Sequence, residues 1–312
     1  MLRPDSPPTL PATKATTGVV GLASALVAFL SWGFFPLFFT LIRHLDAWQI
    51  LAYRAVWSLP FVLGIVLFSG RGKLLITLLR TKFWAVLGSA AMLALNWTGF
   101  VWLVVTGRFV EVSIAYYLTP MFMAGLGLVV LKESLRPMQA VALAVAMVGV
   151  VIMIVGSAAA PWISLVVALV WGLYSLIRRA NRIPALEGLS VELGLFVLPA
   201  LLWLTFTGFA LTPKPGETAA PIDWIWIVLL GAVTIVPLIF YGFATTRLNL
   251  ATIGVLQFIA PTMQFLTGVL VNDEPFDTVR QVAFAFIWIA VIFYGVDGWR
   301  NRRPPIAREV PA

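Results

Sequence analysis

Residues 137–177 form 41 consecutive positions without one charged side chain. A helix needs about 20 residues to cross the hydrocarbon core of a bilayer, so this stretch is long enough for two crossings. Its Gly156-Ser157-Ala158-Ala159-Ala160-Pro161 segment has the small residues and proline of a turn. That divides the stretch into spans at 137–156 and 161–177. The same reading finds eight more: 18–42, 47–70 (interrupted by Arg54), 83–107, 112–131, 189–208 (interrupted by Glu192), 224–246, 251–272 and 276–297, the last with Asp277, Arg280 and Asp297 at its ends.

Composition agrees. The chain is 61% hydrophobic and 11% charged, where soluble domains run about 45–50% apolar and about 25% charged. A soluble protein of this size could not cover so large a core with so little polar surface. Lipid leaves open backbone groups unsatisfied, and runs of this length exceed barrel strands, so the spans are helices. The expected fold is an all-α integral membrane protein of ten transmembrane helices.

Residues 1–17, rich in Pro and Thr, read as a disordered tail, and 299–312 as a second. The first apolar run is about 25 residues long, carries Pro36 and lacks a following small-residue cleavage site, which argues against a cleaved signal peptide. The net charge of +8 raises the question of a polyanionic partner, and its distribution answers it. With the amino terminus in the cytoplasm, 16 of the 21 Lys and Arg fall in cytoplasmic segments, 4 (Arg43, Arg108, Lys214 and Arg280) on the other side, and Arg54 within a span. That is the positive-inside asymmetry. It places both termini in the cytoplasm and makes anionic lipid, not nucleic acid, the partner of the positive charge.

The sequence also repeats itself. At an offset of 141, Pro120 falls on Pro261, Gly127 on Gly268, Val130 on Val271 and Glu133 on Glu274. Val141, Ala142, Ala144 and Val150 fall on Val282, Ala283, Ala285 and Val291. At 139, Trp32-Gly33 falls on Trp171-Gly172 and Leu59-Pro60 on Leu198-Pro199. Each repeat, 18–156 and 161–298, holds five spans. An odd number requires the second half to cross the membrane in the opposite sense, the inverted-repeat plan of secondary transporters with a site between the halves.

Several residues stand out from the apolar background. Arg54 lies about 9 Å into its span at 1.5 Å per residue, where charge is costly. It anchors a substrate carboxylate or phosphate, or else snorkels outward or bonds neighbouring carbonyls. Glu192 holds a comparable place in the second half, near the opposite face, so the two are not expected to pair. It is the candidate proton carrier for coupling; otherwise it caps a helix or pairs with Arg179 or Arg182. Pro120 and Pro261 break helices at matched positions, freeing the carbonyls of Tyr116 and Gln257. Paired interrupted helices are a pointer to a transport site. Asn96, Trp97, Tyr117, Thr119, Thr234, Tyr241, Gln257 and Gln264 are expected around it. Taken singly, each of these reads as interhelical hydrogen-bonding; the set reads as a cavity. Small residues at Ala140/Ala144 and Ala142/Ala146 permit close helix packing, within the chain or in a homodimer. The chain has no cysteine, and its one histidine, His44, lies in a loop, so no metal or cofactor site is expected.

In these residues the chain resembles the RarD group of the EamA-type transporters, within the drug/metabolite transporter superfamily, over residues 18–298. The resemblance is carried by Ser31-Trp32-Gly33 with Pro36, Tyr53-Arg54 with Trp57-Ser58-Leu59-Pro60-Phe61, and Leu95-Asn96-Trp97. It continues in Gly188-Leu189-Ser190-Val191-Glu192, Thr234-Ile235-Val236-Pro237-Leu238 and Gly254-Val255-Leu256-Gln257-Phe258-Ile259-Ala260-Pro261-Thr262. It departs at Ala115 and Thr119, where the group tends to Gly and Asn, and at Asn272-Asp273. The resemblance implies ten helices in two inverted five-helix repeats, a bacterial plasma-membrane location, and a permease associated with chloramphenicol sensitivity or resistance. Arg54 and Glu192 fall on positions characteristic of the group.

The leading expectation is a secondary-active transporter, exporting a small amphipathic metabolite or drug by alternating access. No Walker lysine in a Gly-rich loop is present, so a proton or substrate gradient would drive it. Two other readings stand beside it. An intramembrane lipid-modifying enzyme needs a cluster of reactive side chains at one depth, and no intramembrane Cys, His or Asp is available. A non-transporting sensor or scaffold predicts no flux.

Overall fold

The computed structural model describes residues 14–106, 108–156, 162–271 and 278–300. They form thirteen helices and no strand, apart from one isolated bridge between Leu45 and Pro213. In chain order the helices are α1 (Lys14–Gly33), α2 (Phe35–Phe39), α3 (Ala47–Phe68), α4 (Gly72–Thr81), α5 (Phe83–Val105), α6 (Phe109–Val129) and α7 (Pro137–Gly156). They continue as α8 (Trp162–Ala180), α9 (Ala185–Thr207), α10 (Pro221–Thr245), α11 (Leu250–Gln257), α12 (Ile259–Val271) and α13 (Thr278–Arg300).

Among the described residues, seven helical stretches are long and apolar enough to cross a membrane: Gly18–Phe39, Ala47–Phe68, Phe83–Leu103, Pro137–Gly156, Trp162–Ala180, Ala185–Thr207 and Pro221–Thr245. The runs at 112–131, 251–272 and 276–297 hold shorter apolar helices, Ile114–Val129, Leu250–Gln264 and Gln281–Asp297. Only 29–56% of each of the seven is buried inside the protein. The outward faces carry side chains such as Trp84, Val129, Phe206 and Phe68, the last 96% exposed. Helices apolar on both their inward and outward faces are surrounded by lipid. The chain is a multi-pass helical membrane protein.

Local chemistry sets the boundaries. The Asp46 carboxylate accepts from the Gln49 amide at 2.9 Å to start α3, and the Asn249 side chain accepts from Thr252 N at 3.0 Å to start α11. A proline at position 36 has no amide hydrogen to give the carbonyl four residues back, and α1 ends at Gly33 with α2 beginning at Phe35. The carbonyl so released, that of Trp32, accepts a hydrogen bond from Gln264 Nε2 at 3.0 Å.

Three expectations are corrected. The tail read as 1–17 gives way to helix already at Lys14. The segment read as a cytoplasmic loop after α3 contains α4, whose Leu78 is buried while Lys73 and Arg80 stay outward. Pro120 lies inside a continuous α6, whereas the Pro261 region is interrupted, with α11 ending at Gln257 and α12 starting at Ile259. The expected pair of broken helices is therefore one broken and one unbroken. Residues 1–13, 157–161, 272–277 and 301–312 lie outside the described residues, and with them most of the turn at Gly156–Pro161, Asn272-Asp273, Glu274 and both tail ends.

Packing is close where glycine or alanine sits at a crossing. A Cβ on Gly149 would come within 2.8 Å of the Ala283 carbonyl, so α7 lies directly along α13. Ala142 and Ala146 are buried on that side, and Ala140 and Ala144 face outward. One of the two small-residue pairs thus serves packing within the chain.

Candidate functional site

A cavity of about 570 Å³ lies between the helices. Arg54 on α3, Asn96 and Trp97 on α5, Thr119 on α6, Gln257 at the end of α11 and Gln264 on α12 all reach it, as expected from the sequence. Its walls are otherwise aromatic and aliphatic, with Trp32, Phe35, Phe100 and Trp171 prominent. It extends to Arg43 and Lys214, both exposed, in the loops before α3 and before α10.

Arg54 is the chemical centre of this space. Its guanidinium carbon stands 4.1 Å from the centroid of the Trp97 ring and 5.8 Å from that of Phe35, a cation–π arrangement. Its Nε donates to Thr234 Oγ1 on α10 at 3.0 Å. Thr234 is fully buried and serves as this anchor. Asn96 Nδ2 donates to the Val167 carbonyl at 3.1 Å, tying α5 to α8. Gln257 is 6% exposed, and its side-chain oxygen has no hydrogen-bond partner.

Three expected residues sit outside the lining: Thr234, buried behind Arg54, and two tyrosines. Tyr117 is packed against Phe258 and Phe284, outside the cavity lining. Tyr241 is fully buried behind the wall, its ring against Trp32 and Trp171 and its hydroxyl bonded to Ser175. A tyrosine hydroxyl satisfied in the core looks, in the sequence, like one aimed into a cavity.

Glu192 is also remote from the cavity lining. It is fully buried and ion-paired with Arg178 at 2.7 Å, accepts from Ser89 Oγ at 2.7 Å, and meets the Tyr174 hydroxyl at 3.3 Å. Arg54 and Glu192 do not pair. The partner is neither Arg179 nor Arg182, because α8 runs on past the charge-free stretch and carries Arg178 into the interior, 1% exposed. Half-buried Arg54 is thus joined by a fully buried arginine that a charge-free criterion assigns to a loop. Sequence reasoning also missed Arg43, Lys214 and Tyr116 as cavity residues; the two loop cations were legible as charges but not as neighbours. Ion pairs occur at both sets of helix ends: Arg71–Glu187 at 2.7 Å, Arg136–Asp297 at 2.9 Å and Arg179–Glu133 at 3.7 Å away from the Arg43 and Lys214 rim, and His44–Asp223 at 2.8 Å and Arg108–Glu111 at 3.1 Å on the rim side. Glu133 also accepts from the Leu250 amide at 2.8 Å, at the start of α11.

A lipid-embedded helical protein enclosing a polar-studded cavity belongs to the broad class that moves or senses small molecules at a membrane. Comparison with known proteins narrows the class. Residues 19–155 match the EamA-like transporter family. An uncharacterized transporter of Pseudomonas aeruginosa is 39% identical over 91% of this chain and 95% of its own. The protein RarD of Streptomyces exfoliatus is 35% identical over 92% of each chain. The chloramphenicol-sensitive protein RarD of P. aeruginosa is 31% identical over 93% of this chain and 98% of its own. One solved crystal structure superposes with a TM-score of 0.70 at 18% identity, over 93% of this chain and all of that one, which shows a shared fold. The chain belongs to the EamA-like transporter family, and several of its relatives are named as transporters.

Proposed function

We propose that this chain is a secondary-active transporter of the bacterial plasma membrane. It exports a small amphipathic metabolite or drug by alternating access, with ten spans in two inverted five-helix halves and both termini cytoplasmic. The observation that carries this reading is the cavity itself. It takes Arg54, Asn96 and Trp97 from the first half and Gln257 and Gln264 from the second, where a rocking motion of one half against the other would expose it to each side.

Packing supports the paired halves. Gly33 stands against Met263 and Gly172 against Phe122, and the sequence offsets of 139 and 141 carry the first contact onto the second. Trp32 and Trp171, matched by the 139 offset, meet edge to face at 5.5 Å on the cavity wall. The exposed end of the cavity lies at Arg43 and Lys214, on the face that the positive-inside count assigns to the outside. Glu192 lies twelve positions before Leu204, which packs beside Leu45 at that rim; the interval is about 18 Å along the helix. The buried Arg178–Glu192 pair and its neighbours therefore close the cytoplasmic side in this conformation. Glu192 remains the coupling candidate, acting through that latch.

The chloramphenicol named in one relative makes that drug and amino-acid-like solutes the first panel to test. Purified protein in proteoliposomes should catalyse flux of at least one member, and a deletion strain should change susceptibility to it. Glu192→Gln should remove the dependence of that flux on a pH gradient. No flux above protein-free liposomes across the panel would favour a sensor or scaffold.

A further inference from the structure

We propose that the cavity is an oxyanion site, with Arg54 binding the carboxylate or phosphate of a substrate whose flat apolar body packs on the aromatic wall. This deepens the transporter reading and rests on it for the site, though not for the chemistry.

Arg54 has unmet hydrogen bonds. The Arg54 guanidinium has five donors in a fixed fork; Nε is used by Thr234. Among the described residues its two terminal nitrogens meet no acceptor and no carboxylate lies within 4.0 Å. Elsewhere the molecule pairs its buried arginine, with Arg178 held on Glu192 at 2.7 Å. Arg54 lies over the Trp97 ring instead, its guanidinium carbon 4.1 Å from the centroid, and it lines the cavity. A planar fork with two parallel free N–H groups is the partner geometry of a carboxylate or phosphate.

Charge around the space agrees. The lining contains three cations, Arg43, Arg54 and Lys214, and no Asp or Glu. The two rim cations lie where an incoming anion would first meet the protein, and a low-dielectric funnel of one sign concentrates ligands of the other. A cationic drug would enter against that field. Gln257 supplies the second, independent observation. Its side-chain oxygen is buried, unpartnered and on the same cavity, so it calls for an N–H or O–H donor on the ligand. Trp32, Phe35, Phe100 and Trp171 offer ring faces and edges for the apolar body. The minimal ligand is an organic acid with a planar apolar body, and a donor group placed to face Gln257 would strengthen its binding.

The test is equilibrium binding to the purified full chain in nanodiscs, using three probes of one shape: 3-phenylpropionate, 3-phenylpropanol and 3-phenylpropylamine, with phenylphosphonate as the phosphate-like arm. The anions should bind more tightly than the alcohol and the amine. Arg54→Gln should weaken the anions by about ten- to a hundredfold, the loss expected for a charge-assisted hydrogen bond, and leave the alcohol unchanged. Arg54→Lys should keep the order with weaker binding, and an unchanged alcohol affinity certifies that either variant is folded. Tighter binding of the amine, equal binding of all probes, an anion preference that survives Arg54→Gln, or no anion binding at millimolar concentration would each overturn the proposal. Anion binding without any solute flux would sink the transporter reading and leave the oxyanion site intact; flux without anion preference would do the reverse.

Discussion

Glu192 and Arg178 are both sealed from water, and their stability consequences follow from that alone. A buried ion pair contributes little net stability against an apolar pair of similar size, but removing one partner strands the other charge, at a cost of about 3–5 kcal/mol. Glu192→Gln and Arg178→Gln should each lower the thermal unfolding midpoint, and the Glu192→Leu/Arg178→Met double variant should recover most of the loss. Unfolding of the four proteins in one lipid composition checks this; losses that simply add would contradict the pairing. At this scale the sequence was readable where a polar side chain interrupts an apolar span. Arg54, Asn96 and Gln257 stand out for that reason, and they reach the cavity. Arg178 did not stand out, because a charge at the end of an apolar run looks solvated until the packing of Ser89, Tyr174 and Glu192 around it is known. Tyr117 and Tyr241 misled because spacing does not say which helix face meets a cavity.

Helices here approach closely at glycine. A Cβ on Gly254 of α11 would lie 2.8 Å from the Pro120 carbonyl of α6, so Gly254→Ala pushes two helices apart at the point where both bear on the cavity. Overpacking of this kind costs about 1–3 kcal/mol. Gly125→Ala is the control, since nothing stands within 4 Å of a Cβ there. Gly254→Ala should lose thermal stability and Gly125→Ala should not; equal midpoints would show that the crossing has slack. Most helix positions were legible from hydropathy, because lipid imposes length on every apolar run. The breaks were less so. Pro36, Pro120 and Pro261 carry the same signal, yet only the first and last lie beside an interruption, since whether a helix bends or breaks depends on who takes the released carbonyl. For Trp32 that partner is Gln264, 232 residues away.

For the whole molecule, the central claim is that one cavity serves both faces of the membrane in turn. The rim at Arg43 and Lys214 is exposed, and on this proposal the Arg178–Glu192 pair closes the other entrance. The all-helical membrane class and the family were legible in the sequence; the opening of the cavity toward Arg43 and Lys214 was not, because it depends on tertiary packing. The chain contains no cysteine, so a single introduced thiol has no background. Asn96→Cys places one at the cavity wall. The decisive measurement is its modification by a membrane-impermeant thiol reagent in right-side-out and inside-out vesicles. The account predicts labelling from both sides, faster from the outside and accelerated from the cytoplasmic side when the Arg178–Glu192 pair is removed. Labelling from one side only, with or without that pair, would contradict it.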